Sequence, residues 1–495
     1  MSILDKQILE RFKDKHVLVI GDFILDRYLY GSCNRLTPEA SVPVIDIQTE
    51  DTCLGGSANV VANLRQLGAQ VTYITLLGQD ESAKSAITLL KEKGVSSLCV
   101  HFTQDDPTLT KTRLLKDGHI LCRIDVATST NHSELTQGGF LTDIEKAYSR
   151  CDAVFVSDYE KGSINVPVID LLAKLRAEKP KILVVDAKNY TRYKNLAPDI
   201  IKPNYTEALR IVGEAPEKNR VKQTLSWSKT LWQNTQAGTI LISLDQDGVV
   251  LNKRHTTSFH YTVPQVKANN PSGAGDTFLS TYLLAHLSGA SDYQAAAMAC
   301  TAASVGIQKA ITASCTLSEL RYALLPKEDK VLSSLDEVKC LAETIDPEKQ
   351  VIFTNGCFDI FHSGHAHYLK QARTLGDLLV VGINTDESVQ RLKGASRPVN
   401  MLSDRIEVLK ALECVDYIVP FGNAAKDTPE ELIKTLLPTI FVKGEDYKNS
   451  ILPEGELLSA LGIKIEFLPY IPHQSTTKII DRVQKENTVV LKKIS

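Results

Sequence analysis

His362 and His365 stand three positions apart in the stretch Phe361-His362-Ser363-Gly364-His365. An apolar run, VIFTN at 351–355, leads into them through a glycine-containing turn, and a helical stretch follows. A strand that turns into a helix start exposes free backbone N–H groups and the positive end of the helix dipole, which makes an anion site. Two imidazoles at this spacing share one face of the first helical turn. Gly364 between them lets a phosphate chain come close to the backbone. The pair suits stabilisation of a departing polyphosphate; a paired-histidine metal site or two surface side chains fit the same spacing.

A second cluster is Asn270-Pro271-Ser272-Gly273-Ala274-Gly275-Asp276, running into the apolar stretch TFLSTYLLAHL. Gly273, Ala274 and Gly275 would turn their N–H groups toward developing negative charge, with Asp276 in the first helical turn. A carboxylate there can accept the proton of an attacking hydroxyl while the small residues hold a transferring γ-phosphate. The plainer alternative is a turn whose Asp complements the helix dipole.

The elements that must position these groups alternate along the chain. Val/Ile-rich runs at 16–22, 70–78, 153–159, 181–187 and 239–245 are separated by helical stretches. The pattern restarts at 351–355 and continues at 378–384, 417–421, 439–444 and 464–470. Such runs with helical crossovers imply an α/β protein with parallel sheets covered on both faces. At 495 residues the chain is too long for one core. The polar segment after the Ala-rich region 291–310 divides it into domains at 1–325 and 347–495, joined by a linker at 326–346.

A formal net charge of −3 announces no basic face for nucleic acid. The longest apolar runs are strand-length and the N-terminus reads as a charged amphipathic helix, so no membrane partner is expected. Ten cysteines without CxxC pairing read as reduced thiols, and the cytoplasm is the expected compartment. The absence of a Walker A sequence sets P-loop kinases aside.

The first half resembles the ribokinase (PfkB) sugar-kinase family. Leu54-Gly55-Gly56-Ser57-Ala58-Asn59 is similar to its substrate loop, and Asp26 to its sugar-binding carboxylate. The resemblance therefore implies sugar contacts for Asp26, Gly55, Gly56 and Asn59. It implies a phosphate and Mg²⁺ role for Asn204, Tyr205, Thr206 and Glu207, the ion held through water near Glu207 with no direct ligand. Ser243 to Gly248 resembles the nucleotide-binding turn. Asp276 would be the catalytic base and Gly273, Ala274 and Gly275 its anion hole. Relatives carry Asp where this chain has Asn270, which leaves a monovalent-cation site open. A ribokinase-like fold with a β lid is implied, the lid at 41–50 and 98–125, together with pairing into a homodimer.

The second half resembles the HxGH nucleotidyltransferases, which implies a Rossmann-like domain in which His362 and His365 hold the β,γ-phosphates. Thr354, Asn355, Phe358, Asp359, Lys393, Ser475, Thr476 and Thr477 would line its nucleotide site. Lys393 and Arg397 fit solvated loop charges as well. Arg113 and Arg123, on a strand-like segment, suit a sugar phosphate or solvent equally.

The stretches 21–31 and 34–44 narrow the first resemblance to heptose-7-phosphate kinases, and 384–400, 442–447 and 475–477 narrow the second to heptose-1-phosphate adenylyltransferases. The implied chemistry is ATP-dependent phosphorylation of D-glycero-D-manno-heptose 7-phosphate at C1, then adenylyl transfer to the heptose 1-phosphate. The substrates would be ATP, with Mg²⁺, and heptose phosphates, and the product would be ADP-heptose for lipopolysaccharide core synthesis. The alternatives are another sugar kinase fused to a polyol-phosphate cytidylyltransferase, and a transferase whose kinase-like half only dimerises.

Overall fold

The alternating runs fold into two units, Met1–Leu324 and Leu325–Ser495. The computed structural model describes residues 3–469, apart from 41, 104–105, 118, 127–138, 255–257, 264–265, 267, 310, 313, 325–329, 346–347, 423–425, 449 and 451.

In the first unit His16–Gly21 lies inside a nine-stranded sheet, paired in parallel with Gln70–Leu77 and Ala153–Asp158. Ser97–Phe102 forms the edge beyond Gln70–Leu77. On the other side Ile182–Ala187, Ile200–Ile201 and Thr239–Ser243 follow in parallel. The middle residues of such a strand, 17–20 in the first, are apolar because each face meets its own core. Val17 and Val19 join the cluster containing Val60 and Leu283, while Leu18 and Ile20 join that of Phe140 and Leu172.

The far edge departs from the parallel pattern. Val249–Lys253 pairs antiparallel with Thr239–Ser243, and Phe259–Tyr261 adds a further antiparallel strand. The turn between Ser243 and Val249 is too short for a crossover, so only a hairpin can form.

A four-stranded sheet makes the lid, in the order Pro43–Gly56, Phe23–Leu36, Thr110–Lys116, His119–Val126. Residues 98–102, expected in the lid, lie instead on the edge of the large sheet. Their place is taken by Phe23–Leu36, which follows His16–Gly21 after the single residue Asp22.

The second unit holds a five-stranded parallel sheet in the order Tyr417–Phe421, Leu378–Asn384, Val351–Gly356, Ile440–Gly444, Lys464–Leu468. Part of the stretch expected as a linker is built into this unit. Lys330 O accepts from Ile418 N at 2.7 Å, Leu332 N donates to Ile418 O at 2.9 Å, and Leu335–Thr344 is a helix. No described helix is long and apolar enough to cross a membrane.

Candidate active sites

Gly273 caps the helix Ala274–Leu287 at φ 82°, a left-handed conformation that strains other residues. A side chain there would meet the Asn59 amide at 2.6 Å, and one at Gly275 would meet Lys202 Nζ at 2.9 Å. The small residues therefore let a helix start press against an amide and a cation. Asp276 sits in the first turn, 7% exposed. Burial, with the charge of Asp186 adding to it, pushes its carboxyl up to about 7. The Asn59 hydrogen bond and the Lys202 charge pull the other way.

Asn59 Nδ2 donates to Asp276 Oδ2 at 2.7 Å. The sequence reading put Asn59 on a sugar hydroxyl; here its amide holds the carboxylate. Asn63, one turn later in the helix Ser57–Gln66, donates to Asn59 Oδ1 at 3.3 Å and so steadies that amide. Gly55 brings its backbone against the Asp26 carboxylate, which the lid residue Arg113 grips at 2.6 Å. Gly56, at φ 55°, starts the helix Ser57–Gln66. Arg113 is thus committed to Asp26, and Arg123 pairs with its neighbour Asp125 at 2.9 Å.

Asp158, Tyr159, Asp186, Lys188, Lys202, Asn204, Glu207, Gly273, Gly275 and Asp276 line one cleft. The N-x-x-E spacing has a local cause. Asn204 Oδ1 accepts from Glu207 N at 2.8 Å, and Glu207 Oε2 accepts from Asn204 N at 3.0 Å, a reciprocal cap on the helix Tyr205–Val212. Glu207 Oε1 remains in the cleft, 3.0 Å from Lys188 Nζ. Tyr205 turns its hydroxyl to Gln223 at 2.6 Å, and Thr206 is exposed. Ser243 bridges to Asn204 in parallel, and Gly248, at φ 91°, closes the turn after it.

Two residues that the sequence reading gave no role shape this site. Lys202 is buried 3.7 Å from Asp186 Oδ2. Asp22 accepts the N–H groups of Tyr159 at 2.8 Å, Lys161 at 3.0 Å and Ser163 at 3.0 Å, fixing the loop that follows Ala153–Asp158. Asn270 Oδ1 accepts from Ser272 N at 2.9 Å, and its amide nitrogen faces the Tyr28 hydroxyl at 3.4 Å.

In the second unit His362 caps the helix Ser363–Arg373, and its ring stacks on that of His365 with centroids 3.9 Å apart. Phe358 and Phe361 wall in His365 at 5.3 and 5.5 Å. Burial lowers the proton affinity of His362, and burial with His362 beside it takes His365 down to about 4. Both rings are therefore neutral near pH 7. Their buried Nδ1 atoms and Asn355 Oδ1 make no hydrogen bond within the described structure, and such atoms call for a polar ligand.

Other residues of the second site are engaged with the protein. Thr354 Oγ1 donates to Val442 O at 2.9 Å, joining two central strands. Asp359 accepts from Arg397 Nε at 2.5 Å, Val399 N at 2.8 Å and Asn400 N at 2.9 Å. Its carboxylate thus anchors the loop 397–400, and Phe358 before it takes φ 44°. Lys393 ends the helix Asp386–Lys393 and is exposed, its charge close enough to act on the Cys357 thiol. Arg405, wholly buried, had no sequence signal: it donates to Cys357 O at 2.6 Å and to Asp386 Oδ1 at 2.7 Å. Ser475, Thr476 and Thr477 lie outside the described residues.

Both halves of this arrangement have counterparts. The profile of pfkB family carbohydrate kinases matches residues 14–319, and a cytidylyltransferase-like profile matches 353–482. Three proteins named bifunctional protein HldE align with nearly the whole chain. That of Syntrophotalea carbinolica is 35% identical over 488 residues, 97% of each chain. Those of Actinobacillus pleuropneumoniae and a Shewanella species are 33% and 36% identical, over 97% of this chain and 99% of the relative. The chain belongs to the HldE family. The HldE pattern joins a carbohydrate kinase to a nucleotidyltransferase, and the two sites above fall one in each unit. Among solved structures, Arabidopsis thaliana ribokinase with ribose and ATP superposes with TM-score 0.51 at 22% identity, over 63% of this chain and 98% of that one. Phosphofructokinase-2 of Escherichia coli gives 0.51 at 16%, over 62% and 97%. These two likenesses concern the fold of the kinase unit.

Proposed function

We propose that this bifunctional enzyme makes ADP-heptose, phosphorylating D-glycero-D-manno-heptose 7-phosphate at C1 and adenylylating D-glycero-D-manno-heptose 1-phosphate. The observation that carries the reading is the family alignment along 97% of the chain, with a buried carboxylate in one unit and a stacked histidine pair in the other.

In the kinase unit Asp276 accepts the proton of the anomeric hydroxyl as its oxygen attacks the γ-phosphorus of ATP, the bond to the β-phosphate oxygen breaks, and ADP leaves. A base that titrates near 7 matches the operating pH. The N–H groups of Gly273, Ala274 and Gly275, with Lys202, meet the charge on the phosphoryl oxygens. Asp26, Gly55 and Gly56 serve the sugar side, and Asn59 holds the base beside it. The cleft suits a magnesium ion carried in by the nucleotide, because the Asp186 and Glu207 carboxylates face it. That ion would offset phosphate charge, with Glu207 reaching it through water.

In the second unit a phosphate oxygen of the sugar 1-phosphate attacks the α-phosphorus of ATP, the bond to the β-phosphate oxygen breaks, and pyrophosphate leaves. His362 and His365 hold the β,γ-phosphates at the helix start, with Asn355 and Lys393 beside the polyphosphate. The cytidylyltransferase-like profile favours one rival, a CTP-using second half; parallel assays with ATP and CTP separate the two.

The lid supports a homodimer: Ile47, Ile120 and Ile124 are 47%, 58% and 52% exposed on its strands. All ten cysteines are free thiols, in keeping with a reducing cytoplasm. The test is ³¹P NMR of the enzyme with Mg-ATP and heptose 7-phosphate, followed by a phosphatase specific for the 7-position. An anomeric phosphate should appear first, and pyrophosphate with a sugar-linked diphosphate only after the phosphatase. Silence in the first stage would remove the kinase half of the reading.

A further inference from the structure

In the second unit the connections run from Val351–Gly356 to Leu378–Asn384 and Tyr417–Phe421, then cross back to Ile440–Gly444 on the other side. The crevice outside the carboxyl ends of Val351–Gly356 and Ile440–Gly444 is therefore a topological switch point, where ligands of open α/β sheets bind. Cys357 leaves one of these strand ends and Lys443 stands at the other. Three further cations act on the Cys357 thiol: Lys393, Arg405 and Arg397. Arg405 and Arg397 are tied to Asp386 and Asp359 at 2.7 and 2.5 Å.

Lys443 is held differently. It is 9% exposed, and its ammonium lies 5.5 Å from the Phe441 ring centroid and 5.2 Å from that of Tyr447. The carboxylate facing it, Glu454, is 3% exposed and 3.4 Å away. Charge-assisted N–H···O bonds close to about 2.7–2.9 Å, so this pair is loose. An ammonium has three donors; Glu454 holds it loosely and the Asp446 charge acts from beyond ion-pair distance, which leaves room for more acceptors. A buried ion pair of this kind adds little stability over apolar side chains of similar volume. Burial also lowers the proton affinity of Lys443, a strain that an arriving anion would relieve.

We propose that Lys443 binds the phosphate monoester of the incoming sugar phosphate, with Glu454 holding the ammonium in place until that phosphate arrives. The inference rests on the transferase reading. The attacking phosphate and the triphosphate repel each other, and a cation at the end of Ile440–Gly444 lets the first approach the α-phosphorus of the second.

The test uses the full chain supplied with heptose 1-phosphate and Mg-ATP. Lys443→Met should raise KM for the sugar phosphate about ten- to hundredfold, with ATP affinity by calorimetry and kinase activity unchanged. Glu454→Gln frees the ammonium and should leave that KM equal or lower. Equal loss of thermal stability in both variants with unchanged KM would make the pair a structural brace and overturn the proposal. Weakened ATP binding matching the rise in sugar-phosphate KM would assign the lysine to the nucleotide and overturn it too. Should Lys443→Met fail to fold, a raised sugar-phosphate KM in Glu454→Gln refutes the proposal by itself. A wild-type chain that makes no nucleotide sugar from heptose 1-phosphate would instead overturn the transferase reading.

Discussion

Asn59 donates to Asp276 across 217 residues of sequence, and through this 2.7 Å bond the helix that follows Gly55-Gly56 touches the buried carboxylate of the first unit. The bond favours the ionised form and so works against the burial that raises the group. Asn59→Ala should therefore move the acid limb of the kinase kcat/KM profile above the wild-type position near 7. A limb that stays in place would separate the two residues functionally.

Asp276→Asn should lower kinase turnover by roughly 10²–10⁴, as loss of a general base does. Adenylyl transfer from supplied heptose 1-phosphate should persist, and parallel loss of both activities would refute separate sites. The substitution also has a stability signature. Asp276 binds its proton more tightly folded than unfolded, so its contribution is fully present below about 3.8 and is lost as pH rises through about 7. Relative to wild type, Asp276→Asn should gain stability over that interval in urea titrations.

His365, lowered to about 4, behaves in the opposite sense. The unfolded chain holds this proton more tightly, so the second unit should lose stability as pH falls from about 6.5 to about 4. Mg-ATP should raise the His365 pKa in ¹H–¹⁵N NMR titrations by placing negative charge beside the ring. His365→Ala should abolish adenylyl transfer and spare the kinase. An unmoved pKa with nucleotide bound would take the histidine out of the phosphate site.

Asp359→Ala removes the acceptor of one arginine and two backbone N–H groups. Breaking a buried pair of this kind costs about 3–5 kcal/mol. Calorimetry should show a lowered second-unit transition. An unchanged transition would mean that the loop 397–400 is held by other contacts.

Much of this architecture was open to reading because buried parallel strands carry consecutive apolar residues, as 17–20 and 351–353 do. Val249–Lys253 escaped because it is short and includes Asn252 and Lys253. Phe23–Leu36 escaped because its outer half is polar and half-exposed, so it carries no apolar run. Asp276, His362 and His365 were visible because the features that make them reactive, small residues and a helix start, are sequence neighbours. Lys202, Asp22 and Arg405 left no such mark. Asp22 acts on backbone groups 137–141 residues away and Arg405 on an atom 48 residues away, and such distances leave no spacing to recognise. The N-x-x-E pair was visible by spacing, although its local cause is helix capping.

The single residue between His16–Gly21 and Phe23–Leu36 gives the lid a mechanical character. A strand of the core sheet and one of the two 14-residue arms of the lid are one length of chain, with Asp22 at the junction pinned by the 159–163 loop. The arm has 14 residues, roughly 46 Å if straight. A tilt of about 10° at its root would sweep its tip through roughly 8 Å by that geometry. Any tilt of the arm would thus be magnified at its tip, far from the sheet in which it is rooted.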